Sequence, residues 1–346
     1  MSFSVGIVGF PNVGKSTLFT ALTKKKVDIA QYPFTTIHPN YGIVLVPDKR
    51  LEEIGKIIKP EKITPTTIEF VDIAGLVKGA HQGEGLGNQF LAQIRNCDAI
   101  LVVLRGFQDA KVENVFGQIN PEKEFEVLKT ELLMKDLESL EKILLKVETD
   151  FKRDKKVGKK AELLKKIKNF ISQGKAILEI DLTEEEKKEI KDYQFLSQKP
   201  IVYLINVNSE KEKNFNNLSF KSLTINLKEE KEMLELTEKE IEELKIKPSL
   251  DQVIINCYNV LDLITFFTVA GGKEAKAWTL KRGLDVKEAG GIVHTDFKEK
   301  FIKAEVINWQ DLIKAGGWKK ARELGLLKVH GKEYIVQDGD VIEFKI

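Results

Sequence analysis

The sequence predicts an α/β protein with a mostly parallel sheet, a long helical segment and a strand-rich C-terminal part. Apolar and β-branched residues from Phe3 to Val8 predict a buried strand, which a glycine-containing loop and a helix over 16–22 follow. A second β-branched run over 66–71 ends in Asp72, as a strand of such a sheet does. Apolar side chains spaced mostly three and four apart predict two packed helices, each with one buried face. These side chains are Leu128, Leu132, Leu137, Leu140, Leu144, Val147 and Phe151 on the first helix, and Leu163, Ile167, Phe170, Ile171 and Leu178 on the second.

The first loop has the spacing of a phosphate-binding P-loop. In "GFPNVGKS", four residues separate two glycines and lysine and serine follow, between the predicted strand and helix. Gly9 and Gly14 permit a tight turn whose N–H groups face an anion at the positive end of the helix. Lys15 is predicted to contact the β- and γ-phosphates and Ser16 to bind Mg²⁺. The alternative is a glycine-rich turn that binds nothing. The predicted nucleotide-binding residues of the loop are Asn12, Val13, Gly14, Lys15, Ser16 and Thr17.

The run that ends at Asp72 opens a second phosphate motif, Asp-x-x-Gly. An aspartate at the carboxyl end of a strand can hold Mg²⁺ through water, and the N–H of Gly75 can bond to the γ-phosphate. In the intervening "QYPFTTIHPN", Thr36 is preferred to Thr35 as the switch residue that reaches the metal and the phosphate. The predicted magnesium site therefore consists of Ser16, Thr36 and Asp72.

Composition limits the other classes of function. The 346 residues are enough for two or three domains, and 55 basic against 53 acidic residues give a net charge of +2. Any affinity for nucleic acid must therefore come from a local patch. Cys97 and Cys257 lie in apolar runs, which predicts buried thiols in a reducing compartment. No apolar stretch of about 18 residues and no signal-peptide pattern occur, so we expect a cytoplasmic protein without a membrane partner.

A basic segment lies within the helical part. Two antiparallel helices joined near Gly158 fit the apolar spacing best. From Lys152 to Lys168, nine basic residues stand against Asp154 and Glu162, a local balance of +7. One interpretation is a solvated hairpin tip. The other is an RNA-binding tip that neutralises several phosphates at once.

These motifs resemble one known family over nearly the whole chain. The stretches "GFPNVGKST", "DIAGLVKGAHQGEGLGNQFL", "AWTL", "IVHTDF", "FIKAEV" and "YIVQDGDVIEF" are similar to the YchF family, an Obg-related branch of the translation-factor NTPases. The resemblance implies a P-loop G-domain of the OBG type over 1–120 and 199–261, a coiled-coil insertion over 121–198, and a β-grasp TGS domain over 262–346. It also implies ribosome association and, through Asn12, a possible K⁺ ion beside Mg²⁺.

The TGS domain is predicted to contain five strands, with the signals "LITFFTV", "KAWTL", "FIKAEVI", "EYIVQ" and "DVIEFKI". Trp278 stands among the basic residues Lys273, Lys276, Lys281 and Arg282. An aromatic side chain among cations is compatible with RNA, and it is equally compatible with a place in the core.

The base-binding end departs from the guanine-specific pattern. In "KPIVYLINVNSE", Asn206 stands where N-K-x-D proteins begin their guanine-reading motif, but Val207 replaces the lysine and Ser209 the aspartate. The family typically has N-x-x-E there, and Glu210 comes one residue late. Whether Ser209 or Glu210 faces the base stays open. Because the guanine-reading aspartate is missing, the sequence predicts that ATP binds at least as well as GTP. The alternative is a GTP-specific GTPase in which Glu210 reads guanine.

The residue that positions the attacking water is not evident. Ras-like enzymes have a glutamine after Asp-x-x-Gly, where this chain has Leu76. Many family members carry a histidine at the position of Asn114, and an amide cannot accept a proton near neutral pH. His81 is the candidate to take the role of the missing histidine, and the alternative is that His81 is only a surface residue. The predicted catalytic residues are Lys15, Thr36, Gly75 and His81. A rival hypothesis is a nucleotide-gated RNA-binding scaffold in which hydrolysis is incidental.

Overall fold

The computed structural model describes residues 3–24, 40–73, 86–151, 158–209, 215, 217–236, 240 and 249–346. They form two compact units. The first combines the segment 43–69 with 251–346, and the second consists of the described parts of 4–42 and 70–250. This division differs from the predicted domain boundaries, because 43–69 and 251–261 group with the C-terminal segment.

A six-stranded sheet with the order β2-β4-β1-β5-β6-β7 carries the P-loop. β1, β5, β6 and β7 run parallel, as predicted. Every residue of β5 is buried, which explains its uninterrupted apolar run. The strands are β1 (Ser4–Val8), β2 (Tyr41–Leu45), β4 (Thr67–Asp72), β5 (Ala99–Arg105), β6 (Ile201–Asn206) and β7 (Ser222–Ile225). The helices of this part are α1 (Lys15–Thr23), α3 (Leu86–Asn96) and α7 (Leu227–Met233).

The helical insertion has a hydrophobic core of its own. Its long helices are α4 (Pro121–Phe151) and α5 (Gly158–Ser172), and short 3₁₀ turns and α6 (Glu184–Ile190) follow. The core contains Leu140, Leu144, Val147, Leu163, Ile167 and Ile171 from the predicted apolar positions. Leu178 was predicted on the same buried face, but it is 60 % exposed. It lies in the 3₁₀ turn Ile177–Glu179, beyond the end of α5, where helical spacing no longer applies.

The other unit contains a mixed sheet with the order β11-β10-β12-β8-β9-β3. β3 comes from early in the chain and pairs parallel with β9. The strands are β3 (Lys62–Thr64), β8 (Leu263–Ala270), β9 (Glu274–Lys281), β10 (Lys303–Asn308), β11 (Lys328–His330) and β12 (Asp340–Lys345). The helices are α2 (Lys49–Ile58), α8 (Leu250–Val260), α9 (Val286–Val293), α10 (Thr295–Glu299), α11 (Trp309–Ala315) and α12 (Trp318–Glu323).

Four of the five predicted C-terminal strands are present, and "EYIVQ" is not a strand. Within it, Ile335 makes only an isolated bridge to Asp285. The Tyr334 hydroxyl and the Gln337 N–H both donate to the carboxylate of Asp340, which folds this stretch into a turn. Trp278 packs partly buried against the core, while Lys276 lies 4.0 Å over its ring. The name TGS for this unit stays a prediction.

Two further findings concern the cysteines and the helices. Cys97 and Cys257 are buried thiols, as the sequence predicts. Within the described ranges, no helix combines the length and the apolar character that a membrane crossing needs.

Candidate nucleotide-binding site

The P-loop connects the end of β1 to the start of α1. Gly14 precedes α1 with φ 109° and no side chain caps the helix there, so the first N–H groups of α1 remain available to an anion. Asn12 adopts φ 63°, a left-handed conformation that asparagine tolerates better than most residues. Val13 is 1 % exposed and fastens the loop to the core. The predicted strand, loop and helix are therefore all present.

Gly9 and Gly14 are required by close contacts within the protein. A Cβ on Gly9 would lie 2.3 Å from the carbonyl oxygen of Val103, on β5. A Cβ on Gly14 would lie 2.6 Å from Nδ2 of Asn206, at the end of β6. Both glycines also have φ values in the left-handed range, 154° and 109°. The loop is thus pressed against the ends of two neighbouring strands, in addition to the room that its glycines leave for a phosphate.

Lys15 is the first residue of α1, and its side chain turns back over the loop. Its Nζ donates to the carbonyl oxygen of Phe10 at 2.9 Å. Burial lowers the pKa of Lys15, and the negative charge of Asp72 opposes this shift. In this structure the ammonium group therefore has a backbone carbonyl as its hydrogen-bond partner.

Ser16 and Asp72 bring two oxygen donors together beside Lys15. The Ser16 hydroxyl donates to Oδ2 of Asp72 at 3.2 Å, so the ends of the P-loop and of β4 meet. Burial raises the pKa of Asp72, while the Ser16 hydrogen bond and the charge of Lys15 lower it. A hydroxyl and a carboxylate are oxygen ligands of the kind Mg²⁺ takes together with phosphate oxygens and water, so these residues fit that ion.

Asn206, at the end of β6, joins the P-loop to the start of α7. Its side chain is almost fully buried, and its Nδ2 donates to the carbonyl oxygen of Val13 at 3.0 Å. Its Oδ1 accepts from the N–H of Leu227, the first residue of α7, at 3.2 Å. Both ends of the amide therefore already make hydrogen bonds within the protein. Asn206 acts here as a brace for the P-loop, which its position in the sequence did not reveal.

The chain was compared with known proteins. Residues 4–136 match the family MMR_HSR1, described as 50S ribosome-binding GTPase, and residues 263–346 match YchF-GTPase_C, described as a protein of unknown function (DUF933). The relative named "Ribosome-binding ATPase YchF" from Bacillus subtilis (strain 168) is 42% identical, with 100% of this chain and 99% of the relative covered. The protein of the same name from Haemophilus influenzae is 44% identical, with the same shares covered. The chain belongs to the YchF family.

A solved structure of the family agrees with this assignment. The Schizosaccharomyces pombe YchF GTPase superposes with a TM-score of 0.88 at 33% identity, covering 99% of this chain and 98% of that one. The resemblance deduced from the sequence motifs is thus confirmed, and so is the predicted α/β class with a P-loop G-domain.

Several predicted site residues of this YchF-family chain lie outside the described residues. They are Thr36, Gly75, His81 and Glu210. Their predicted roles as switch residue, γ-phosphate donor, water-positioning residue and base-side carboxylate therefore stay predictions. Of the remaining base-side residues, Val207 is 3 % exposed and Ser209 is partly buried.

Arg105 and Glu124 are two residues of the site region that the sequence analysis missed. Arg105 is the last residue of β5 and 3 % exposed, and Glu124 lies in the first turn of α4 at 1 % exposed. The Arg105 N–H donates to Oε2 of Glu124 at 3.0 Å. Burial raises the pKa of Glu124 to about 7, against the opposing effects of this hydrogen bond and the Arg105 charge. The signal in the sequence was an arginine closing the apolar run "AILVVL".

Asn114, at the family's histidine position, belongs to the segment that follows β5. Its Nδ2 donates to the carbonyl oxygen of Gln118 at 3.1 Å, and its Oδ1 accepts from the N–H of Phe116 at 2.8 Å. The side chain therefore stabilises a local turn in this structure.

Part of the basic segment is neutralised by neighbouring helices. Among the described residues 158–168, four of the five lysines form ion pairs with acidic residues of other elements. The pairs are Lys160–Glu189 at 3.3 Å, Lys165–Glu148 at 2.8 Å, Lys166–Glu186 at 3.2 Å and Lys168–Glu141 at 2.9 Å. The local excess of +7 counted along the sequence is accordingly smaller in space. Residues 152–157 lie outside the described part of the chain.

A pocket of about 160 Å³ lies at the other end of β6 from Asn206. Leucine side chains of α4 line it together with Ile201 and Tyr203, and Lys129 and Glu179 form an ion pair at 2.8 Å within the lining. Its volume is below the roughly 300 Å³ at which small-molecule sites usually begin. It is distinct from the P-loop site.

Proposed function

We propose that this chain is a Mg²⁺-dependent nucleoside triphosphatase that binds ATP at least as tightly as GTP and associates with the ribosome. The observation that supports it most strongly is the meeting of Lys15, Ser16 and Asp72 at the open start of α1. A cation, a hydroxyl and a carboxylate beside free helix N–H groups are what a metal-bound triphosphate requires.

Each residue has a defined task when the triphosphate binds. The Lys15 ammonium exchanges the Phe10 carbonyl for the β- and γ-phosphate oxygens, because a phosphate oxygen carries a negative charge that the carbonyl oxygen lacks. Ser16 would hold the metal directly, and Asp72 would hold it through water. Mg²⁺, once bound, neutralises charge that develops on the phosphate oxygens. Thr36 is proposed to reach the metal and the γ-phosphate, the Gly75 N–H to bond to the γ-phosphate, and His81 to position the attacking water.

The residues at the end of β6 support the proposal that ATP binds at least as tightly as GTP. Val207 stands at the lysine position of N-K-x-D, and its buried side chain cannot extend over a base. The Asn206 amide already bonds to Val13 and Leu227, so we assign the recognition of adenine chiefly to backbone groups near 207–209. A site without a carboxylate for the guanine edge loses most of its ability to reject adenine.

Ribosome association is supported by the relatives. Relatives that match this chain over almost their full length are named ribosome-binding ATPases. We assign the contact to the basic segment from Lys152 to Lys168 and, in second place, to the C-terminal unit around Trp278. Because four lysines within 160–168 form ion pairs, we assign the contact with RNA chiefly to Lys159 and the basic residues before it.

Separate titrations of ATP and GTP into the full chain, with Mg²⁺ and K⁺ present, test the nucleotide assignment. We expect ATP to bind at least as tightly as GTP. Lys15→Ala should abolish triphosphate binding with an unchanged circular dichroism spectrum, since it removes a charge-assisted phosphate contact. Lys24→Ala, at the exposed other end of α1, is the matched control and should bind normally.

Two results would contradict the proposal. Normal affinity in Lys15→Ala would remove the P-loop assignment. A preference for GTP of about tenfold, or roughly 1.4 kcal/mol, would mean that Glu210 reads guanine. Turnover measured with and without ribosomes separates the NTPase from the RNA-binding scaffold, because only the NTPase should be stimulated.

A further inference from the structure

Arg105 organises the segment that follows β5. Its Nη1 and Nη2 donate to the carbonyl oxygens of Glu113 and Val112 at 2.7 and 2.8 Å, and its Nε donates to that of Phe107 at 3.3 Å. The guanidinium also lies 4.5 Å from the centre of the Phe107 ring. One buried side chain thus fixes both ends of the loop 107–113, because the five donors of arginine form a rigid fork.

The same residue fixes the start of α4. Its N–H donates to the buried carboxylate of Glu124, in the first turn of the helix. The next residue along the helix towards the N-terminus, Lys123, lies 5.5 Å from the centre of the Phe116 ring. The segment 106–120, which we call the β5–α4 connector, therefore contacts α4 through Phe116, and Arg105, directly before it, bonds to Glu124.

The connector also touches the P-loop at two points. The Phe10 ring packs edge-on against Phe116 with their centres 5.0 Å apart. Asn12 Nδ2 donates, at a long 3.5 Å, to the Glu113 carbonyl oxygen that also accepts from Arg105. Phe10 is in turn the residue whose carbonyl oxygen accepts from Lys15.

We propose that Arg105 is a positioning residue that couples nucleotide binding at the P-loop to the first turns of α4, through the β5–α4 connector. This rests on the proposed binding of a triphosphate by Lys15. When the ammonium leaves the Phe10 carbonyl for a phosphate, the contacts of Phe10 with Phe116 and of Asn12 with Glu113 change. Arg105 passes this change to Glu124, because its guanidinium holds the loop 107–113 and its backbone N–H donates to the Glu124 carboxylate.

Amide hydrogen exchange of the full chain, with and without a non-hydrolysable ATP analogue and Mg²⁺, tests the coupling. We expect the analogue to slow exchange in 107–113 and in 121–133 by at least about fivefold. In Arg105→Lys, which keeps the charge and loses the fork, the analogue should still bind, while the effect on 121–133 falls below about twofold. A purely structural role would change exchange equally with and without nucleotide.

The matched control is Arg95→Lys. Arg95 lies on α3 and donates to Ser139 on α4 at 2.6 Å, so it touches the same helix away from the connector. This variant should keep the wild-type response. Should Arg105→Lys fail to fold, Phe116→Leu takes its place, because it weakens the contact with Phe10 at a partly buried position and should reduce the response in 121–133.

The outcomes are distinct. An unchanged response in Arg105→Lys or in Phe116→Leu, or a wild type that binds the analogue without a response in 121–133, overturns the coupling and leaves the proposed function intact. A wild type that binds no triphosphate overturns both. An equal loss of response in Arg95→Lys would show that any disturbance of α4 suffices, and would also overturn the role of Arg105.

Discussion

Arg105 and Asn206 stand side by side, as register partners at the carboxyl ends of two neighbouring parallel strands. Each closes an apolar run, each is nearly inaccessible to solvent, and each bonds mainly to backbone groups. The sequence analysis assigned a ligand to Asn206 and overlooked Arg105. In the structure both satisfy the N–H and C=O groups of sharp turns, which cannot stay unpaired when buried. At these two strand ends, the polar side chain satisfies backbone groups of the adjacent loop, and ligand binding depends on the residues around it.

The two braces differ in charge, and this difference sets their energetic weight. Asn206 joins the P-loop to α7 through a neutral amide. Arg105 binds the connector through its charged guanidinium, and its backbone N–H donates to the buried Glu124 carboxylate of α4. Removing a buried charge leaves its partner uncompensated, which costs more than losing neutral hydrogen bonds.

The largest effect is expected for Arg105→Met. It removes three hydrogen bonds from a charged donor and leaves the carbonyl groups of Phe107, Val112 and Glu113 without it, so the free energy of unfolding should fall by about 3–5 kcal/mol. Chemical denaturation measures this change. Arg322→Met is the control, since Arg322 pairs with Glu305 at 54% side-chain exposure, and such a pair contributes about 1 kcal/mol or less. Equal losses in both variants would show that the charge of Arg105 has no special weight.

A pH titration of stability should reveal Glu124 next. Because its pKa is raised to about 7 in the folded chain, the folded state keeps a proton that the unfolded state releases above its ordinary pKa. The free energy of unfolding should therefore fall as the pH rises from about 4.5 to about 7, by up to about 3 kcal/mol from this residue. Glu124→Gln should remove that part of the slope. Parallel pH profiles in the two proteins would refute the assignment.

Asn206→Ala should have a smaller effect on stability and a clear effect on binding. It leaves the Val13 carbonyl and the Leu227 N–H without their partner, which costs about 2 kcal/mol. Because the same bonds hold the P-loop, affinity for ATP and for GTP should fall together. Asn169→Ala, at an exposed position of α5, is the control for isothermal titration. A selective loss of ATP would instead identify Asn206 as a base-reading residue and break the comparison with Arg105.

The smallest effect is expected in the basic segment. Lys159→Ala should lower the slope of log affinity for ribosomes or RNA against log salt by less than about 1, the contribution of a single phosphate contact. Lys165→Ala, whose ammonium lies 2.8 Å from Glu148, should change the slope less. Cosedimentation at several salt concentrations compares them. Equal slopes in wild type and both variants would favour a solvated tip, at least for this part of the segment.

Short-range patterns in the sequence predicted the parts of the fold that short-range chemistry determines. The P-loop, the Asp72 strand and the two helices of the insertion depend on spacings of a few residues, and all are present. β3 and β9 pair although about 210 residues separate them, and no local pattern in the sequence indicates such a pairing. "EYIVQ" has the composition of a strand, but the Asp340 carboxylate holds it in a turn.

The site was predictable to a similar extent. Lys15, Ser16 and Asp72 follow from motifs, and the structure brings them together. The contact of Arg105 with Glu124, 19 residues away, and the acidic partners of Lys165 and Lys168 depend on how separate elements pack. Charge counted along the chain therefore overestimates charge in space wherever acidic side chains of other helices fold alongside.

The membership of β3 in the C-terminal sheet has a consequence for the order in which the chain folds during synthesis. Residues 62–64 leave the ribosome early, yet their partner strand Glu274–Lys281 is made about 210 residues later. β3 must wait for almost the entire polypeptide, and its pairing closes a loop of that length, with an entropy cost that grows only with the logarithm of the loop. A fragment starting at residue 262 would lack an edge strand and α2, so the C-terminal unit cannot be completed by its own contiguous sequence.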